Sequence, residues 1–382
     1  MKRGLVNFSR PLMYIPNLAI HLTSDVDKFE CNKEEELKPI LATLAANQLN
    51  DNLEDVGDQA STDRLNPHSI LEEHHSSLLK LLSEETGCDP SCILDFDLYL
   101  YDSQPAAIGG IHQEFISSQR LDNLVGTYTT VSGLLESLRI SSLAEEENIR
   151  FAACFDNEEV PYFLISLFFT PVRFQVGSGS AQGAESALCE WIMRRLSASN
   201  SQSSFEEAIA NSYLLSVDNA HAVHPNYANK HERNHKPTLD GGVVVKVNVN
   251  QRYATTSTTH AIIKHIASTA GEPLQKVVVR NDMRCGTTVG PILASKLGIQ
   301  TVDVGCPQLA MHSVRELMHV NSICQAIKLY SVCFAKFQTL KLKLSDCFKG
   351  CTTASYETAS AAPSFFSRSK CQSGTGTNRK EM

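Results

Sequence analysis

Thr255–Asp282 reads TTSTTHAIIKHIASTAGEPLQKVVVRND, and its two halves differ in kind. The first reads as a helix, and the second, KVVVRND, as a short apolar strand. The same alternation runs in both directions from here. Upstream, LDNLVGTYTTVSGLLESLR reads as a helix opening with an acidic residue, and NIRFAACFD as a strand. AESALCEWIMRRLSAS reads as a helix with Ala184, Leu188, Trp191 and Ile192 on one side, and YLLSVD as a strand. Downstream, TVDVG reads as a strand and SVRELMHVNSICQAIKLYSVCFAKF as a long closing helix. Strand–helix alternation of this kind predicts an α/β fold, a sheet with helices on both faces. Ligands of such sheets sit beyond the carboxyl ends of the strands.

The front of the chain follows another pattern. LMYIPNLAIHL is strand-like, and ELKPILATLAANQL has apolar spacing that suits a helix or a strand. Asn50 to Asn66 is polar and reads as a loop. HSILEEHHSSLLKLLSEETG predicts an amphipathic helix closed by Gly87, and ILDFDLYLYD alternates as a half-exposed strand. Residues 1–115 are therefore set apart as one domain and 116–340 as a second. Residues 341–382 are Ser/Thr-rich without period and read as a disordered tail.

A chain of 382 residues with 42% hydrophobic and 20% charged residues suits two globular domains. Its formal charge of −8 argues against non-specific binding to nucleic acid or anionic membrane. The twelve cysteines are scattered, and two early prolines spoil MKRGLVNFSRPLMYIPNLAIHL as a signal peptide. These features predict free thiols in a reducing, cytoplasmic setting. The greasy block PYFLISLFF is about half the length needed to span a bilayer. The pairs Cys88/Cys92 and Cys347/Cys351 read as ordinary thiols rather than zinc ligands.

Acidic residues and a histidine recur where predicted strands end or helices begin. Asp122 stands at a helix start, Glu158 and Glu159 follow a strand, Asp218 ends YLLSV, and His312 opens the last helix. Singly, such residues are ordinary caps and solvated loops. Together their oxygen and nitrogen donors suit zinc, manganese or cobalt in a hydrolytic site. A carboxylate between two ions clamps attacking water and substrate carbonyl, and a second carboxylate beside a ligand serves as general base.

Seven stretches, RLDNL, FDNEEV, GSGSAQGAES, DNAHAVHPNY, VVKVNVNQRYAT, VRNDMRCGTTVGPILASKLG and DVGCPQLAMHSVRE, closely resemble the motifs of the aspartyl aminopeptidase family. The likeness runs in order to about Phe337. It implies a dodecameric di-metal exopeptidase, with two zinc ions per subunit, that removes N-terminal Asp or Glu from peptides. It implies a metallopeptidase sheet plus a β-rich assembly domain, here residues 1–115. By the same resemblance Asp122 bridges the metals, Glu158 is the general base, Glu159 and His312 bind one ion and Asp218 the other. His221 and Lys246 fall where the family reads the substrate, and a lysine there suits an acidic side chain. His21 matches a histidine that reaches into a neighbouring subunit's site. His224, His231 and His235 read as solvated or assembly-facing, and GSGSAQG, which lacks the phosphate-loop ending, as a tight helix N-terminus.

Two departures stand out. The family's earlier His-x-Asp-Ser motif, whose histidine completes the second metal site, has no counterpart, so the chain reads as shortened at its front by roughly a hundred residues. The second ion then keeps only Asp122 and Asp218. The rival expectation is a catalytically impaired, truncated subunit, or a wrongly delimited fragment of an active gene product. The family also reads DNEEVGS without a break, whereas here residues 160–175 separate Glu159 from Val176–Ser178. A valine codon begins GT and Phe-Gln can be TTTCAG, the edges of an intron. The hypothesis is that 160–175 is a retained intron, and transcript reads should mostly skip these codons. An abundant message containing all of them would sink it.

Overall fold

The computed structural model describes residues 2–22, 32, 34–43, 46, 70, 74–144, 146, 148–156, 158, 176–199 and 201–355. The 160–175 block, Glu159 and the tail beyond Ser355 lie outside the described residues. The chain divides into two units, Met1–Pro105 and Ala106–Met382. The boundary falls ten residues before the one predicted, because the strands just after Pro105 pair within the second unit's sheet.

In the first unit, helix α1 (Ser76–Thr86) stops where sequence predicted, at Gly87 with φ 66°. A single bridge joins Tyr14 to Ile40. The strand expected over ILDFDLYLYD is not formed among the described residues, which offer it no neighbouring strand to bond with.

The second unit runs β1 (Ala107–Gly109), β2 (Phe115–Ser118), α2 (Leu121–Ile140), α3 (Leu188–Leu196), α4 (Ser204–Asn211), β3 (Tyr213–Val217), β4 (Ala220–His221), β5 (Val243–Val247) and α5 (Ser257–Ala270). It continues with β6 (Leu274–Val278), α6 (Val289–Leu297), β7 (Gln300–Gly305), β8 (Pro307–Leu309), β9 (Glu316–His319) and α7 (Asn321–Ser355). One sheet has order β1-β2-β9-β8-β4 and the other β3-β7-β5-β6. In the second sheet β3 is parallel to β7 and β5 to β6, while β5 and β7 are antiparallel, so the sheet is mixed.

Period two along these strands divides their side chains between two cores. Val243, Val245, Val302 and Val304 pack with Ile262, Ile263 and Ile266 of α5 and with Leu329 and Tyr330 of α7. On the other face Leu214 packs with Cys189 of α3 and Leu293 of α6. The predicted two-faced α/β sheet is thus present, each fully buried Val, Leu or Ile contributing about 1.5–3 kcal/mol before entropic costs. Helices α2 and α7 meet closely at Gly133, where an added Cβ would lie 2.8 Å from Tyr330 Cβ.

Four local expectations are corrected. NIRFAACFD forms no strand among its described residues. GSGSAQG opens no helix: Val176–Gly179 is a 3-10 turn, and α3 begins nine residues later. The closing helix starts at Asn321, because Glu316 to His319 pair as β9 with β2 and β8. His312 therefore sits in the β8–β9 turn instead of at a helix start. Helix α7 also continues to Ser355, past the point where the tail was expected.

Candidate functional site

Asp122 begins α2 with φ −87° and ψ 109°, off the helical path, and its side chain is 1% exposed. The loop around it is stitched down by amides. Asn123 Nδ2 donates to the Val217 carbonyl at 2.7 Å, at the carboxyl end of β3. The buried Asn219 donates through Nδ2 to the Leu121 carbonyl and to Gln308 Oε1, each at 2.8 Å. These bonds tie the start of α2 to the end of β3 and to β8.

The β8–β9 turn brings the histidine. Ala310 and His312 hold φ of 55° and 64°, left-handed values uncommon for residues with a Cβ. His312 Nε2 lies 3.1 Å from Asp122 Oδ2. Glu316, 2% exposed on β9, accepts the Asp122 amide at 2.9 Å and the His312 amide at 2.7 Å.

Asp218 follows β3. Its Oδ2 accepts from Lys246 Nζ at 2.7 Å, and the same ammonium donates to the Asn219 carbonyl at 2.9 Å. Lys246 itself is 2% exposed and lies 5.1 Å from the centre of the Tyr253 ring. The close passage of β7 beneath Asp218 requires Gly305, where a Cβ would stand 1.8 Å from the Asp218 carbonyl oxygen. A face of His221 reaches solvent. Even so, the packing around it, then the Lys246 cation, then His231, push its pKa down to about 4, while Asp218 opposes the shift. The imidazole is neutral at neutral pH. Asp303, on β7, is a further buried carboxylate, held by the Ala254 amide and the Thr288 hydroxyl, each at 2.5 Å. Burial raises its pKa.

Glu158 is half-buried and accepts the hydroxyl of the buried Ser178 on Oε2. Ser178 and Glu158 thus meet although the 160–175 block stands between them in sequence.

Five of the sequence-predicted residues, Asp122, Asp218, His221, Lys246 and His312, come together as one charged cluster at the ends of β3, β4 and β8. Glu159 lies outside the described residues. His21 is exposed in the first unit, on the 3-10 turn Ile20–Leu22. Sequence reasoning missed Asn123, Ser178, Asn219, Gln308 and Glu316 as individuals. All five stand inside the quoted motifs, but nothing in their spacing says what they bind.

The donor chemistry fits a metal in part. A buried carboxylate with an imidazole nitrogen beside it is a pair zinc accepts. Among the described residues no group of three or more His, Cys, Asp or Glu converges on one point. The pair supplies two donors toward one ion, and among the described residues no second donor set is assembled around Asp218, which Lys246 engages.

Among the described residues no helix is long and apolar enough to cross a membrane, and the cysteines Cys88, Cys92, Cys154, Cys189, Cys285, Cys306, Cys324 and Cys333 are free.

Residues 1–334 match the model of a family described as aminopeptidase I zinc metalloprotease (M18). An aspartyl aminopeptidase of Caenorhabditis elegans is 54% identical over 340 residues, 89% of this chain and 68% of the relative. One from Aspergillus oryzae is 40% identical over 357 residues, 87% of this chain and 68% of the relative. A chain in the cryo-EM structure of the Ape4 and Nbr1 complex superposes with TM-score 0.75 at 38% identity, covering 88% of this chain and 60% of that one. The chain thus spans about two thirds of these curated relatives and less of that solved chain.

Proposed function

The chain belongs to the M18 family of zinc metallo-aminopeptidases, and on that premise we propose that it removes acidic residues from the N-termini of peptides. The observation that carries the proposal is the buried Asp122 carboxylate 3.1 Å from His312. Asp122, His312 and Glu159 would hold a zinc ion. When bound, such an ion supplies Lewis acidity toward the scissile carbonyl and makes a water easier to deprotonate. A second ion between Asp122 and Asp218 would require Lys246 to release Asp218 Oδ2, so we assign one firm position.

The residues of the chain do the rest. Glu158, oriented by Ser178, takes the proton of the attacking water and returns it to the leaving amine. Lys246 has three N–H donors and spends two on Asp218 and Asn219, which leaves one for an incoming acidic side chain. The neutral His221 lies close enough to the same cation to feel its charge.

We assign the first unit to assembly of a homo-oligomer, a dodecamer by the resemblance, with His21 serving a neighbouring site. What supports this is the apolar surface around that histidine: Tyr14, Leu18, Ile20 and Leu22 are 61–71% exposed. Thiol usage favours a reducing, cytoplasmic setting.

The test is release of the first residue from short peptides by the purified chain with zinc, manganese or cobalt. Asp- and Glu-peptides should be cleaved at least tenfold faster than the Leu-peptide. Equal rates would remove the acidic preference, and no release from folded, metal-loaded protein would remove the activity.

A further inference from the structure

Glu316 is a carboxylate in an unusual place. It lies in a strand, opposite Ser118 of β2, and is 2% exposed, yet no lysine or arginine is bonded to it among the described residues. Its two oxygens are spent on two backbone amides. Oε2 takes the amide of Asp122, and Oε1 takes the amide of His312. These residues are 190 positions apart in the chain, and they are the two whose side chains meet at 3.1 Å.

We propose that Glu316 is a positioning residue that sets the separation of the Asp122 and His312 side chains, and so tunes their affinity for a metal ion. The argument rests on the metal reading of that pair. A carboxylate is the only side chain with two acceptor oxygens at a fixed spacing, and it can accept from two N–H groups at once. It acts on both main chains through their amides and on neither ligand's side chain. The His312 end needs such a restraint, because the turn there carries left-handed φ at Ala310 and His312 with no glycine to make it easy. Groups that orient metal ligands through hydrogen bonds typically change affinity by about 10- to 100-fold when removed.

Glu316→Gln is the sharp test. It keeps size and shape, but it turns one acceptor oxygen into an NH2 that faces an N–H, so one of the two bonds must be lost. The full-length chain, stripped of metal, would be titrated with zinc against a chromogenic chelator, and with cobalt to read ligand geometry from its absorption spectrum. The expected result is zinc binding weaker by about 10- to 100-fold and an altered cobalt spectrum. Leu329→Ala, a core cavity in α7, serves as a control that melts earlier while keeping its zinc affinity. Wild-type zinc affinity and cobalt spectrum in folded Glu316→Gln overturn the proposal. Should the variant not fold, hydrogen exchange on the wild-type chain decides: zinc should slow the Asp122 and His312 amides together, and slowing of one alone overturns it. A wild-type chain that takes up no zinc fails earlier, overturning the metal reading and this inference with it. Binding is read without turnover, so a failure of the peptidase reading shows separately.

Discussion

Lys246→Met lowers the stability of the chain by about 3 kcal/mol, the low end of the range for breaking a buried ion pair by removing one partner. The reason is the charge left behind. Asp218 keeps 22% of its side-chain surface in solvent, so it is not stranded completely, but its Oδ2 loses a donor at 2.7 Å. The Asn219 carbonyl loses the same ammonium. Methionine fills the volume without meeting either need. The double variant Lys246→Met, Asp218→Asn should recover most of the loss, since an amide no longer calls for a cation. Denaturant melts of the wild type, both singles and the double measure this directly. Additive losses would mean that the two side chains do not hold each other. The same variant tests selectivity. If Lys246 receives the acidic side chain, the preference for Asp- over Leu-peptides should collapse toward unity while cleavage of the Leu-peptide changes little. If both fall in parallel, Lys246 is serving the site only by holding Asp218.

The two kinds of outcome show how far the sequence could be read. The buried strands of YLLSV and TVDVG were legible because short apolar runs alternate with helices of period 3.6, and a sheet covered on both faces accommodates both. Strand β9 was not legible. Glu316 and His319 look like polar residues of a helix, and only the ladders to β2 and β8 make the segment a strand. The same blindness hid Glu316 as a site residue. A buried carboxylate that binds two backbone amides leaves no spacing signal, because its targets lie at distant points in the chain. Lys246 was singled out through the motif resemblance, but the sequence could not show that Asp218 would be its neighbour. Asp122 and His312 were singled out by their places at predicted element ends and by motif resemblance, and neither signal could show that their side chains lie 3.1 Å apart.

Glu158→Gln should lower kcat by about 10²- to 10⁴-fold, the usual worth of a positioned general base. The substitution is nearly isosteric, and its amide oxygen can still accept the Ser178 hydroxyl that Glu158 Oε2 accepts now. Folding should therefore be preserved, and what disappears is a site able to take up a proton. Zinc affinity should be unchanged, because the ligands assigned are Asp122, Glu159 and His312. That contrast separates neighbouring roles in the pair of adjacent glutamates. A variant that loses zinc along with turnover makes Glu158 a ligand, and a variant that keeps turnover moves the base elsewhere. Ser178→Ala gives a graded version of the same test. It removes one hydrogen bond to a charged group, worth about 1.5–3 kcal/mol, or roughly 10- to 150-fold in rate if all of it is spent on holding the base. A Ser178→Ala chain as active as the wild type would show that Glu158 is aimed by the loop that carries it.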